Sequence, residues 1–243
     1  MEGLLIAQVL AALRPRLPAA RLAWRFAGPD TFVLPLVPEG AVWFYARLPA
    51  PRIEIRDDMP DAGSDPRTPF QALLVARAVG ALVGVGQPQL DRVARFAFGA
   101  GTGFVDQPPV TLIAELTGRN GNFLLVDDKG VILGAHREIG SDVNRYRQVR
   151  SGLPYAPPPP YDKLDPRSAS RDELRRALEG VTLQRVKSRI DGIGPELTAT
   201  LARVAGVDRD TRLEGAVLDD VLAALQRIVE DPTGTAADAL QRL

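Results

Sequence analysis

Four consecutive prolines, Pro157 to Pro160, divide the chain into two parts of different character. Proline fixes the backbone φ angle and lacks an amide donor, so such a run is stiff and extended and interrupts helices and sheets. Runs rich in β-branched and aromatic residues occur before it, and helical spacing dominates after it. The sequence therefore predicts a β-rich domain over residues 1–160 and a small all-helical domain over residues 161–243.

The first part combines two helix signals with a series of strand signals. Apolar residues at helical spacing predict one helix from Leu4 to Leu17 and another from about Phe70 to Val83. Eight short runs have the composition of strands and are separated by turn residues; they are 22–26, 31–37, 41–48, 52–56, 93–98, 110–116, 122–126 and 131–135. Short turns between successive runs favour antiparallel pairing. The predicted fold class is α+β, an antiparallel β-rich domain with two helices followed by a helical domain.

The second part begins with a clear helix start. Ser170 followed by Glu173 has the pattern of a capping box, which opens a helix through Leu178. Further helices are predicted over 183–190, 195–204 and 216–229 from the spacing of their apolar residues.

Residues 190–204 of this second part fit a helix-hairpin-helix pattern, in which Gly192 and Gly194 form the hairpin and Pro195 opens the next helix. The hairpin amides and the helix N-terminus would then offer donors to a phosphate. Gly192, Gly194 and the upstream Lys187 are therefore candidates for nucleic-acid binding. The alternative interpretation is a tight helical turn that binds nothing.

Composition argues against several kinds of chemistry. With no cysteine, the chain has no disulfide, no thiolate metal site and no cysteine nucleophile. His136 is the only histidine, and we interpret it as a lone surface residue without a catalytic partner. We therefore predict no catalytic residue, no metal and no cofactor, and we do not expect an enzyme. No signal peptide or long apolar span is recognisable, so a cytoplasmic protein is the simplest interpretation.

Thirty basic and thirty acidic residues cancel, so any binding of nucleic acid must depend on local patches. Arg145, Tyr146 and Arg147 combine arginine with an aromatic ring, a combination that contacts phosphates and stacks on unpaired bases. Arg119 lies in a Gly- and Asn-rich loop between two predicted strands. The alternatives are a solvated loop for the first group and a plain β-turn for the second.

Four motifs together resemble the NFACT family. Their order and spacing agree with that family over nearly the whole chain, and residues 1–160 resemble its N-terminal domain. The motifs are Gln87-Pro88 followed by Asp91-Arg92 at the start of a strand, the hairpin from Glu115-Leu116 to Gly121-Asn122, the exit Gly152 to Pro158 around Tyr155, and Gly192-Ile193-Gly194.

The resemblance implies binding to tRNA and to the rRNA and proteins of a large ribosomal subunit that carries a stalled peptidyl-tRNA. Such a module supports ribosome-associated quality control, in which a C-terminal tail is added to the nascent chain. The resemblance also implies that Asp91 and Arg92 engage tRNA, although an adjacent acid and base at a strand start carry little meaning by themselves. It further implies that the first domain is similar in fold to the N-terminal part of formamidopyrimidine-DNA glycosylases.

The chain departs from the family pattern at two places. Glu2-Gly3 stands where the family usually has Asp-Gly, and Val75-Ala76 lies where a basic cluster is usual.

Two other functions stay open. One is a DNA-backbone-binding protein related to those glycosylases but without their catalysis, since the proline that follows Met1 in those enzymes is missing here. The other is a fibronectin-binding adhesin, which the absence of a recognisable export signal disfavours.

Overall fold

The computed structural model describes residues 1–59, 61, 63–101, 107–143 and 147–241. By their internal contacts they form two compact units. We call them the sheet unit, which comprises Met1, Val9–Gln87 and Val93–Pro158, and the helical unit, which comprises Glu2–Gln8, Pro88–Arg92 and the chain from Pro159 onward. The division after Pro158 falls inside the proline run. The sequence did not indicate that residues 2–8 and 88–92 belong to the helical unit.

The first helix, α1, covers Gly3–Leu13, whereas the sequence predicted residues 4–17. The helix ends early because Pro15 cannot supply an amide to the helical ladder, and Arg14–Arg16 form a single three-ten turn. Leu10 and Leu13, two residues of the predicted apolar pattern, are fully buried, and so is Ile6.

The next four strands form one antiparallel sheet in chain order. They are β1 (Arg25–Gly28), β2 (Thr31–Pro35), β3 (Ala41–Tyr45) and β4 (Arg52–Arg56). The predicted meander is confirmed. Its first strand begins three residues later than expected, at Arg25, and its third ends at Tyr45 rather than at residue 48. In register, Phe32 lies opposite Phe44 and Val33 lies opposite Trp43.

The second helix, α2 (Pro69–Arg77), is shorter than predicted. The Thr68 side chain caps its start by accepting a hydrogen bond from the Gln71 amide at 3.2 Å. The expectation that the helix continues to Val83 was wrong. The chain leaves the helix at Ala78, and Leu82–Gly86 instead forms strand β5, with Leu82 opposite Phe98. Pairing with a neighbouring strand therefore overrides the local helical spacing.

Strand β5 starts a second antiparallel sheet, ordered along the chain. The other members are β6 (Val93–Phe98), β7 (Val110–Glu115), β8 (Asn122–Asp127) and β9 (Ile132–Ala135). The predicted turn between the last two is confirmed. Asp127 Oδ1 accepts hydrogen bonds from the amides of Lys129 and Val131, and Gly130 takes a φ of 77°.

Aromatic side chains fill the core between the two sheets. The ring centroids of Phe44 and Phe96 lie 5.0 Å apart, and those of Phe32 and Phe123 lie 5.1 Å apart, both in edge-to-face packing. Those four rings, with Trp24, Phe26 and Phe98, are the largest fully buried side chains of the sheet unit.

His136 was predicted as a surface residue, and this was wrong. Only 13% of its side chain is exposed, and its ring packs against Phe32 and Phe70. Its Nε2 atom lies 3.1 Å from Asp30 Oδ1. The aromatic core reaches to the end of β9, so the ring of the following residue finds an apolar surface there.

The helical unit contains α3 (Arg171–Leu178), α4 (Val186–Arg189), α5 (Pro195–Ala205), α6 (Gly215–Glu230) and α7 (Pro232–Gln241). The capping box is confirmed, since the Ser170 and Glu173 side chains each accept a hydrogen bond from the other residue's amide. Helix α7 was not predicted, because Gly234 and two threonines weaken its helical signal. None of the described helices is long and apolar enough to cross a membrane. Together with the two sheets, these helices confirm the α+β fold class.

We expect Phe44→Ala to destabilise the sheet unit by about 3–5 kcal/mol, because it removes a ring that contacts Trp24, Phe32, Phe96 and Phe123. Urea unfolding followed by tryptophan fluorescence measures the loss. Val75→Ala is the control, since this side chain on α2 is 43% exposed. Similar losses for the two variants would contradict the assignment of this core.

Candidate nucleic-acid interface

The turn Pro88–Arg92 presents Arg92 to solvent. The Asp91 amide donates to the Pro88 carbonyl at 3.0 Å, and Asp91 Oδ1 accepts from the Arg92 amide at 2.7 Å. Gln89 adopts a φ of 50°, which is uncommon for a residue with a Cβ atom. Asp91 is half-buried and Arg92 is exposed. The turn thus fixes the backbone of the predicted pair and leaves the arginine at the surface.

A buried carboxylate holds this turn in place. Asp191 is 3% exposed, and its Oδ2 accepts the amide of buried Leu90 at 2.9 Å. Its Oδ1 accepts the Tyr161 hydroxyl at 2.8 Å and the Gly192 amide at 2.7 Å. Burial, the hydrogen bond to Asp191 and the charges of Asp191 and Asp91 raise the pKa of Tyr161 above its usual range. Tyr161 therefore remains a neutral donor to this carboxylate.

A second buried carboxylate occupies the N-terminus of α5. Glu2 is 7% exposed, and its two oxygens accept the amides of Gly194, Glu196 and Leu197 at 2.8, 2.7 and 3.0 Å. These amides have no partner within the helix, and the helix dipole favours a negative charge at this end. Glu2 thus supplies the negative charge that this helix end favours.

The two hairpin glycines are required for different reasons. Gly192 has a φ of 73°, and a Cβ atom there would lie 2.9 Å from Leu90 Cδ1. Gly194 has a φ of −122°, which other residues adopt readily, so its backbone angle does not require a glycine. A Cβ atom on Gly194 would instead collide with the Glu2 side chain, 2.9 Å from its Cγ. The second glycine therefore makes room for the capping carboxylate.

These contacts change how the hairpin is interpreted. The sequence predicted that its amides bind a phosphate, but the Gly194 amide donates to Glu2 and the Gly192 amide to Asp191. A phosphate at the helix end would have to displace a buried carboxylate with three hydrogen bonds. Nucleic-acid binding by Gly192 and Gly194 stays a prediction, and these amides give it no support.

A basic strip precedes the hairpin. Arg185, Lys187 and Arg189 are exposed on α4 and on the three-ten turn that leads into it. The Lys187 carbonyl accepts a hydrogen bond from Lys163 Nζ at 2.9 Å, so a fourth cation lies beside this strip. Lys187 is therefore placed at the surface, as a phosphate contact requires.

Arg147 has a structural partner within the sheet unit. Its Nη1 atom donates to Glu115 Oε2 at 3.0 Å, its Nη2 atom pairs with Glu115 Oε1, and its Nε donates to the Ala156 carbonyl. Glu115 is 1% exposed and also accepts the Tyr155 hydroxyl at 2.8 Å. Burial lowers the pKa of Arg147, but the hydrogen bond and charge of Glu115 outweigh it and raise that pKa. We therefore leave Arg147 out of the proposed interface.

The other predicted contacts are dispersed. Arg119 lies in the three-ten turn Gly118–Asn120 of the sheet unit and is exposed. Arg145 and Tyr146 lie outside the described residues. The structure does bring Asp91 and Arg92 to the Gly192 hairpin, because Leu90 donates to Asp191 across 101 positions of sequence.

Sequence reasoning missed the two residues that organise this site. Glu2 drew notice only as a departure from a family pattern, and Asp191 only as a member of the hairpin motif. An acidic residue directly before a glycine, Glu2-Gly3 and Asp191-Gly192, was the available signal at both positions. Within the described ranges, no group of three or more His, Cys, Asp or Glu residues is arranged to hold a metal ion.

The sequence was compared with models of known protein families. The family described as NFACT N-terminal and middle domains matches residues 3–238. The chain therefore belongs to the NFACT family.

Among curated relatives, the "Rqc2 homolog RqcH" of Bacillus subtilis (strain 168) is 27% identical over 173 residues, covering 69% of this chain and 30% of that protein. The protein of the same name from Streptococcus suis (strain 05ZYH33) is 28% identical over 152 residues, covering 60% and 28%. The chain thus spans about three tenths of the length of these relatives.

Solved structures share the fold. The N-terminal part of the fibronectin/fibrinogen-binding protein from Streptococcus suis aligns with a TM-score of 0.74 and 19% identity, covering 95% of this chain and 85% of that one. The fibrinogen binding protein from Staphylococcus aureus aligns with a TM-score of 0.71 and 15% identity, covering 96% and 82%. At these identities the likeness concerns the fold alone.

We expect Glu2→Gln to speed amide hydrogen exchange at Gly194, Glu196 and Leu197 and to destabilise the helical unit by about 2 kcal/mol. A side-chain amide has one acceptor oxygen where the carboxylate has two, and it turns a donor toward the helix amides. Glu196→Gln is the matched control, since it removes the same charge from an exposed position in the first turn of α5. Its cost should stay below about 1 kcal/mol. Equal exchange rates in the two variants would refute the capping role of Glu2.

Proposed function

We propose that this chain binds tRNA and the large ribosomal subunit, and that it supports C-terminal tailing of stalled nascent chains in ribosome-associated quality control. Membership of the NFACT family and the relatives named RqcH support the proposal. The structural observation that carries it is the exposed Arg92, in a turn that buried Asp191 holds rigid. A planar guanidinium held in this way suits a phosphate or a base edge.

Within this proposal the chain acts in the cytoplasm by binding, without catalytic residues, metal or cofactor of its own. The spacing of α4, the Gly192–Gly194 turn and α5 supports a helix-hairpin-helix assignment. The order of two helices and two antiparallel sheets supports the proposed likeness to the formamidopyrimidine-DNA glycosylase N-terminal fold. In this chain the hairpin positions the Asp91-Arg92 turn, because Asp191 bonds to Leu90 and to Gly192.

We expect Arg92→Ala to weaken tRNA binding by about 1–3 kcal/mol, the range for one good bidentate contact. Asp91→Ala should act in the same direction, because Asp91 accepts the Arg92 amide and orders the turn. Arg92→Ala should leave the fold intact, since an exposed charge of this kind adds little stability. The measurement is recovery of tRNA with ribosome-bound wild-type and variant protein, with circular dichroism to confirm folding.

Arg227→Ala is the control, an exposed arginine on α6 of the same unit. Tailing activity and sedimentation with large subunits are recorded in parallel, and attachment to the subunit should persist in part. Full tRNA recovery with folded Arg92→Ala protein would remove the pair from the site. Tighter binding of duplex DNA than of tRNA would favour the DNA-backbone alternative, and capture by immobilised fibronectin would favour the adhesin.

A further inference from the structure

A basic groove lies on the helical unit beside the hairpin. It has a cavity volume of about 640 Å³. Three of its lining residues are arginines and none is acidic. The side chains that matter here are Arg185, Arg189, Arg212, Thr182, Gln184 and Ser188.

Two separate pieces of backbone form the groove walls. Arg185 and Arg189 lie four residues apart along the three-ten turn and α4, so they share one face, and Ser188 lies between them. Arg212 comes from a distant loop, which an antiparallel bridge pairs with Thr182. The Leu183 and Gln184 amides donate to the carbonyls of Thr211 and Arg209 at 3.0 and 2.9 Å, which fixes the second wall against the first.

The lining of the groove carries positive charge and no acidic residue, although the whole chain is neutral. Residues 180–190 contain Arg185, Lys187 and Arg189 and no acidic residue. Acids do lie nearby: Asp210 accepts from Gln184 Nε2 at 2.8 Å, and Glu214 lies 3.8 Å from Arg212 Nη1. The arginine and glutamate of that last pair are 70% and 61% exposed, so water screens their attraction. The neighbouring cavity, which shares Ser188 and Arg189 with the groove, is also lined by Asp162, Asp165 and Glu173. A concave wall of like charge concentrates the field on an anion inside it.

The chemistry of the lining suits the anionic oxygens of a phosphodiester backbone. Arginine forks match phosphate oxygens, and the Thr182 side chain adds a hydroxyl. The Ser188 hydroxyl donates to the Arg185 carbonyl and Gln184 Nε2 donates to Asp210, so these two side chains are already engaged. The lining includes no aromatic ring on which a base could stack and no apolar pocket for an anchoring side chain of a protein. The hairpin amides are engaged by Glu2 and Asp191, so the groove is the better-placed set of donors.

We propose that Arg185, Arg189 and Arg212 form a sequence-independent contact with the phosphate backbone of RNA, separate from the Asp91-Arg92 turn. The proposal rests on the proposed RNA-binding function and assigns this part of the interface to the groove. The groove contributes affinity for any RNA strand, whereas Arg92 contributes the preference for tRNA.

The test compares the 243-residue chain with the triple variant Arg185→Gln/Arg189→Gln/Arg212→Gln. Fluorescence anisotropy measures the binding of labelled tRNA and of an unrelated RNA hairpin from about 50 to 300 mM salt. The groove variant should bind both RNAs about tenfold or more weakly, and its plot of log affinity against log salt should be shallower by about 2–3. Arg171→Gln/Arg175→Gln/Arg227→Gln changes the net charge equally on α3 and α6 and should leave the slope almost unchanged.

Four further outcomes are distinguishable. Lysine at the same three positions should restore most of the slope, which separates charge from folding. Wild-type affinity and slope in the folded glutamine variant would overturn the groove while the proposed function stands, provided that Arg92→Ala still loses tRNA. If wild-type protein binds neither RNA, both proposals fail. The proposal would also be overturned if the glutamine variant bound RNA normally but no longer bound a purified ribosomal protein. That result would assign the groove to a protein partner.

Discussion

The carboxylate of Asp191 is the interaction on which the helical unit and its proposed binding turn depend. It is buried, and it accepts hydrogen bonds from three parts of the chain: the turn at Leu90, Tyr161 after the proline run, and Gly192 of the hairpin. A buried carboxylate is tolerated only when its oxygens accept hydrogen bonds. Moving any of these three donors away would leave part of the charge unsatisfied, which costs free energy. The neutral Tyr161 hydroxyl links the residue after the proline run to the same point. The position of Arg92 therefore depends on Asp191, which bonds to the Leu90 amide of the same turn.

Glu2 makes the hairpin a structural element in this chain. A free helix N-terminus attracts anions, and the carboxylate of Glu2 meets that demand from inside the molecule. The Gly192–Gly194 turn resembles nucleic-acid-binding hairpins, but here its contacts are structural, since Asp191 bonds to both Gly192 and the turn at Leu90. In the function that we propose, phosphate contacts are made by side chains on the surface. This explains why we propose Arg92 and the arginine groove in place of the hairpin amides.

In the sheet unit, too, a buried carboxylate, that of Glu115, joins separate parts of the chain through hydrogen bonds. Arg147 and Tyr155 both bond to this buried carboxylate. Burial and the neighbouring Glu115 raise the pKa of Tyr155 above its usual range, so it stays protonated as a donor. Two residues of the family-like motifs, Glu115 and Tyr155, thus meet in one ion-pair cluster that ties the segment from Gly152 to Pro158 to the sheet. An arginine that looked like an RNA contact in the sequence is used to neutralise this charge.

The sequence by itself determined those features that depend on neighbours along the chain. The four-stranded meander, the Asp128–Gly130 turn and the capping box at Ser170 follow from local composition and spacing, and the structure confirms them. Family membership was likewise readable from four short motifs in order. The strand at Leu82–Gly86 was missed because pairing with Phe98 and its neighbours, rather than local spacing, selects it. Only the tertiary structure decided that Glu2 caps α5, that Asp191 holds the Arg92 turn and that Arg147 pairs with Glu115. These contacts join residues up to 195 positions apart, and a hydrogen bond across such a separation leaves no periodic trace in the residues that make it.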